Sequence, residues 1–88
     1  MRITNIAINL LDGSSNLKAT ALVTFDDIIM VWGFHIVVQE NGGRFIAWPQ
    51  RQLPSKRWVD TVKCTDQKFK AEVESRIKKE YLELTGEE

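Results

Sequence analysis

A chain of 88 residues with 43% hydrophobic content can enclose one small core but not two, and alone it buries too little surface to be very stable. Its 12 basic and 12 acidic side chains cancel to a formal charge of zero, which argues against holding a polyanion by bulk charge, so any such site must be local. Cys64 is the single cysteine, which excludes an internal disulfide and a structural zinc site of the multi-cysteine type and fits a reducing compartment.

In chain order, Ile6, Ile8 and Leu10 alternate with Ala7 and Asn9, the two-residue period of a half-buried strand, and a first strand is predicted over residues 3–10. Asp12-Gly13-Ser14-Ser15-Asn16 gathers residues that bond their own backbone or tolerate positive φ, predicting a turn between antiparallel strands. The second strand runs from Leu17 to Phe25, with Leu17, Ala19, Ala21, Val23 and Phe25 on one face and Lys18, Thr20, Leu22 and Thr24 on the other. After the break at Asp26-Asp27, the run Ile28 to Val38 is apolar on both parities, so alternation cannot orient it. Both of its faces are expected to be covered, by a helix or by a second copy of the chain. Gly33 interrupts the run and marks a bulge or a close backbone approach.

Asn41-Gly42 is a hairpin signal, because these residues readily take the positive φ of tight turns, and a fourth strand follows from Arg44 to Trp48. Pro49 and Pro54 each fix φ and remove a backbone donor. The chain should therefore leave the sheet after Ala47 as a stiff loop, with room for a short fifth strand within residues 57–62. Thr65 or Asp66 offers a helix N-cap. Phe69, Val73, Ile77, Tyr81 and Leu84 then recur along one face of an amphipathic helix over residues 66–84. The architecture expected is α+β: one domain over residues 1–88, in which a small antiparallel β-sheet of four to five strands, residues 3–62, precedes one C-terminal amphipathic helix.

Chemistry-bearing candidates are few. His35, the sole histidine, sits in the most apolar strand with no Cys, Asp or Glu beside it, and a packed or interface histidine is the favoured reading over a catalytic one. Cys64 has no neighbouring base and is expected to be a small, partly buried side chain. Asp26-Asp27 lacks the oxygen-ligand spacing of a cation loop and is read as a turn. With no phosphate loop, metal-spaced triplet or nucleophile elbow, the chain is expected not to be an enzyme, to use no cofactor or metal, and to take no small-molecule substrate. Met1 to Asn5 form no apolar signal region, and the run from Ile28 to Val38 falls well short of the roughly 20 residues that span a bilayer. A cytoplasmic location without a membrane partner is expected.

Charge is distributed unevenly. Residues 41–63 carry five basic side chains and one acidic one, against two and four in residues 1–40 and five and seven in residues 64–88. Arg44, Arg51, Lys56 and Arg57 are interleaved with Phe45, Trp48 and Trp58, and an exposed indole beside an arginine suits base stacking or a protein hot spot equally.

The order Lys18-Ala19-x-Ala21, Thr24-x-Asp26, the long apolar strand, Asn41-Gly42-Gly43-x-Phe45-x-Ala47-x-Pro49-x-Arg51, Asp60 and Glu80-Tyr81 resembles the septation protein family typified by stage V sporulation protein G (SpoVG), over about residues 3 to 81. The resemblance implies a bacterial cytoplasmic homodimer that regulates through nucleic-acid binding and, in spore formers, touches septation and cell division. It points to Arg51, Lys18, Lys68 and Lys70 as contact positions. Departures from the family pattern are confined to short stretches: Trp48-Pro49-Gln50-Arg51-Gln52 stands where Met-Pro-Ser and two basic residues are common, with Lys56 and Arg57 close by. The combined expectation is a homodimer that binds DNA or RNA through Lys18, Arg44, Arg51, Lys56, Arg57, Lys63, Lys68 and Lys70. A dimeric protein-interaction module using the same segment and its tryptophans is the alternative.

Overall fold

The computed structural model describes residues 1–13 and 15–86, and its elements follow the apolar periodicity closely. Strands β1 (Ile3–Leu10), β2 (Leu17–Phe25), β3 (Ile29–Val38) and β4 (Arg44–Ala47) form one antiparallel sheet in the order β1-β2-β3-β4. Two short strands, β5 (Gln50–Gln52) and β6 (Trp58–Asp60), pair only with each other, and helix α1 (Gln67–Thr85) ends the fold. The architecture is α+β, as expected. The fifth strand expected within residues 57–62 forms at residues 58–60, but it pairs with residues 50–52 in a small second sheet rather than with the main one.

Strand β2 carries the clearest pattern: Ala19, Ala21, Val23 and Phe25 are buried, and the residues between them are half-buried. Strand β1 shows why Ile3 and Ile6 share a face despite opposite parity. Ile3 pairs with Phe25 and Asn5 with Thr24, so Thr4 is an extra residue in a bulge, and Ile3, Ile6 and Ile8 all lie opposite core residues of β2. A second irregularity falls in β3, where Ala21 pairs with Phe34 but Val23 pairs with Val31. Gly33 sits in that bulge at φ 99°, and a Cβ there would lie 3.3 Å from Pro49 Cβ. Both expectations for Gly33 hold, since it supplies the positive φ of the bulge and the room for Pro49 to approach.

The turns use local chemistry. Asp26 and Asp27 both take positive φ, 54° and 55°, and close the β2–β3 hairpin as Ile28 N donates to Phe25 O at 2.9 Å. Aspartate is among the few residues that visit this region readily. The Asp26 carboxylate also accepts from Arg2 N at 2.8 Å, so the acidic pair serves a turn, as read from the sequence. In the β3–β4 hairpin only Gly42 takes positive φ. Gly42 N donates to Gln39 O and Gln39 N to Gly43 O, a three-residue loop rather than a two-residue one.

Helix α1 starts at Asp66, whose carboxylate accepts from Lys68 N at 2.9 Å and Phe69 N at 3.2 Å, capping two otherwise orphaned donors. Val73, Ile77 and Tyr81 enter the core, Phe69 packs at its margin with its ring centroid 5.8 Å from that of Phe25, and Ala19 and Ala21 of β2 are buried in the same cluster. Leu84, predicted on this face, is exposed, and Leu82 packs against the core instead. Four-residue spacing from Tyr81 leads to Thr85, so a step of three carries Leu84 off the stripe.

The helix covers one face of the four-stranded sheet only. On the other, Trp32 is 66% and Met30 50% exposed, and Phe45 is exposed as well. The expectation that both faces of β3 are covered is therefore not met within one chain. His35 is exposed on this open face too, not packed inside, because it pairs across to Thr20 and Ala47, out of phase with the core residues Phe34 and Ile36.

Candidate nucleic-acid interface

Residues 49–61 form a β-ribbon where the sequence predicted a stiff loop. Gln50, Arg51 and Gln52 pair with Asp60, Val59 and Trp58, and Thr61 N donates to Pro49 O at 3.0 Å to close its base. Pro49 and Pro54 lie outside the paired residues, where a missing N–H costs no ladder bond. At the tip, Lys56 N donates to Leu53 O and Leu53 N to Arg57 O, both at 2.8 Å. This is the same three-residue loop as at residues 40–42, yet the position held there by Gly42 is held here by Lys56, at φ 69°. A side chain with a Cβ costs about 1–2 kcal/mol in that region. Lys56→Gly should therefore raise stability by up to about 1 kcal/mol once glycine's entropy is set against that strain, while weakening polyanion binding. Urea melts paired with binding titrations would show the two effects moving in opposite directions, and a stability loss would refute the strain argument.

Strand alternation divides the ribbon into two faces. Trp58 shares one with Gln50, Gln52 and Asp60, whereas Arg51 shares the other with Val59. Arg51, Lys56 and Arg57 are all exposed, and among the described residues none of the three is engaged in an ion pair. Asp60 is the one acid on the ribbon, and its Oδ1 accepts from Gln50 Nε2 at 2.7 Å.

The other candidate cations are distributed around the fold. Lys63, exposed just past the ribbon, and the half-buried Lys70 line one cleft of about 210 Å³ with Trp48 and Asp60. Lys68 is exposed in the first turn of α1. Lys18 and Arg44 are half-buried near the opposite end of the sheet, where Val38 pairs with Arg44 and donates to Asn16 O. The structure thus brings Arg51, Lys56, Arg57 and Lys63 onto one ribbon and its exit, keeps Lys68 and Lys70 at the helix start that follows, and leaves Lys18 and Arg44 apart.

The two tryptophans that flank the cations in the sequence have different environments. Trp48 is half-buried with its ring edge-on to Phe34, centroids 4.9 Å apart, and its indole N–H donates to Glu74 Oε2 at 2.8 Å. It ties the end of β4 to the helix and is structural. Trp58, by contrast, is 61% exposed. His35, Ala47, Trp48, Gln50 and Trp58 enclose a cleft of about 260 Å³ between the ribbon and the open sheet face, a site that sequence reasoning missed because His35 and Trp58 lie 23 residues apart. Cys64 is half-buried, with Sγ 3.3 Å from Asp66 O, as expected of a packing residue. Among the described residues no three His, Cys, Asp or Glu side chains are grouped to hold a metal ion, and no helix is long and apolar enough to cross a membrane.

A sequence model of the family described as SpoVG matches residues 1–83. The chain is 32% identical to a protein of Finegoldia magna over 83 residues, 94% of this chain and 76% of the relative. It is 30% identical to one of Clostridium acetobutylicum over 88 residues, 100% and 92% of the two chains, and 27% identical to one of Acholeplasma laidlawii over 88 residues, 100% and 93%. Each bears the name "Putative septation protein SpoVG", which is not the name of an enzyme. With the family match running from β1 into the last turns of α1, the chain belongs to the SpoVG family of septation proteins.

Proposed function

We propose that this chain is a non-enzymatic, homodimeric regulator of the septation type that grips the phosphate backbone of DNA or RNA with the β5–β6 ribbon. The observation that carries the reading is the ribbon itself: Arg51, Lys56 and Arg57 are exposed on it with a single acid, and Lys56 keeps a cation where its backbone would prefer glycine. Strain at an exposed tip is retained when the side chain has a task. Lys63, Lys68 and Lys70 extend the positive surface toward the helix start, and Lys18 and Arg44 are outlying contacts, reached if the nucleic acid crosses the sheet.

The dimer rests on the β2–β3 end of the uncovered sheet face, with His35 and Phe45 further along the strands. Ile28, Met30 and Trp32 are exposed together at the β2–β3 end, and burying such side chains against a second copy would add the surface that so short a chain lacks. The same apolar side chains favour a second reading, a dimeric protein-interaction module that binds no nucleic acid. Salt separates the two, because phosphate contacts release counterions and weaken steeply with salt, whereas a tryptophan-centred protein contact does not.

Gel-shift titrations of the purified protein against mixed DNA and RNA pools at two salt concentrations, with light scattering on the same sample, test the proposal. The expected result is salt-sensitive binding by a particle of about twice the 10.1 kDa chain mass. A particle of the single-chain mass at every concentration would remove the dimer. Absence of binding at low salt would remove the nucleic acid and leave the interaction module.

A further inference from the structure

The cleft between ribbon and sheet has the volume and the aromatic lining to seat one flat ring. We propose that Trp58 is the stacking wall of a subsite for one unpaired nucleobase, so that the protein holds single-stranded nucleic acid in preference to duplex; this rests on the nucleic-acid reading above. Trp58 is 61% exposed on a ribbon face that is otherwise polar, which leaves its indole without the packing that usually accounts for a tryptophan in so small a protein. The same cleft of about 260 Å³ is lined by His35 and Ala47, a register pair on the open face of the sheet. A planar heterocycle entering this gap has the Trp58 indole and the His35 imidazole among its walls.

One polar side chain of the cleft, Gln50, is already oriented. The Gln50 amide donates to Asp60 Oδ1 at 2.7 Å, which holds its Oε1 available to accept. Gln50, which lines the cleft, can therefore take a hydrogen bond from the edge of a base. The cations are carried on the reverse face of the same ribbon, since Arg51 shares that face with Val59 and Arg57 alternates with Trp58, so a strand with one base in the cleft would bring its flanking phosphates to them around the ribbon edge. Base–aromatic stacking combined with a cationic track is how single strands are held without strict sequence choice. A duplex keeps its base faces stacked internally and presents phosphates and base edges only, so it has no free face to lay on Trp58.

The other indoles do not fit this role. Trp48 has its N–H engaged by Glu74 and its ring against Phe34. Trp32 lines a separate groove with Ala7, Leu22 and other side chains of the open face that contains no cation.

Fluorescence anisotropy on the full chain, using a labelled 12-nucleotide DNA strand, its RNA counterpart and the matching DNA duplex, tests the subsite. Wild-type protein is expected to bind either single strand more tightly than the duplex, the DNA and RNA arms showing which sugar is preferred. Trp58→Ala should weaken single-strand binding by about 5- to 160-fold, the span of one base–aromatic stack, with duplex affinity changed less than about twofold and the salt slope unaltered. Trp58→Phe, which keeps an aromatic face, should retain most of the preference. Equal binding of strand and duplex by wild type, or equal weakening of both by Trp58→Ala, would overturn the subsite while leaving the ribbon as a phosphate grip. Binding of neither form at low salt would overturn the nucleic-acid reading and the subsite with it, and would mark Trp58 as a protein contact.

Discussion

Phe34→Ala is expected to be the most damaging single change in the chain. Phe34 is fully buried between Ala21, its register partner, and the edge of Trp48. Neither neighbour can refill the space, since alanine is too small and Trp48 is held in place by Glu74. Truncating a buried phenylalanine costs about 3–5 kcal/mol, while domains of this size are stable by only roughly 5–10 kcal/mol. A fall of about 2 M in the urea midpoint is expected, given slopes on the order of 1–3 kcal/mol per molar. Phe45→Ala is the matched control, a phenylalanine on the neighbouring strand that faces the open side, where the loss should stay within about 0.5 kcal/mol. If the two variants melted together, the assignment of covered and uncovered faces would be wrong.

Removing Arg51 and Arg57 together should have the largest effect on binding. The ribbon carries one acid beside three cations, whereas the lysines at the far end of α1 are interspersed with carboxylates: Lys78 and Lys79 border the same shallow crevice as Glu74 and Glu83. Potential at the ribbon is therefore less cancelled. Arg51→Ala with Arg57→Ala should weaken binding to all sequences and flatten log K against log salt by about one unit for each phosphate that is no longer neutralised, and a dimer would present two such ribbons. Lys78→Ala with Lys79→Ala should change little. A greater loss of affinity from the helix pair, with both proteins still dimeric, would transfer the binding surface from the ribbon to the helix.

These two expectations draw on different kinds of information. The core could be read from the chain wherever one face of an element is buried and the other wet: β2 and most of α1 lie where their periodicity puts them, the Asp66 cap was one of two candidates, and the turns at Asp26-Asp27 and Asn41-Gly42 follow from residue types that tolerate positive φ. The cationic stretch and its aromatics were visible as a composition shift. Their geometry was not, because Gln50-Arg51-Gln52 has little intrinsic preference for a strand and becomes one only by pairing with Trp58–Asp60.

By itself, then, the sequence determined the order and type of the main elements, the family, and the region where positive charge gathers. Periodicity and turn chemistry are local, and the family signature is a matter of residue order, so neither needs coordinates. Tertiary structure alone decided which side of β3 meets the helix, since a run apolar on both parities carries no phase. It decided also that Trp48 is tied to Glu74 while Trp58 is exposed, and that His35 and Trp58 line one cleft. Those outcomes depend on the bulge at Gly33, on the close approach of Pro49 to it, and on the pairing of β5 with β6. Each joins residues distant in the chain, and such long-range arrangements are settled by packing, which no window of sequence contains.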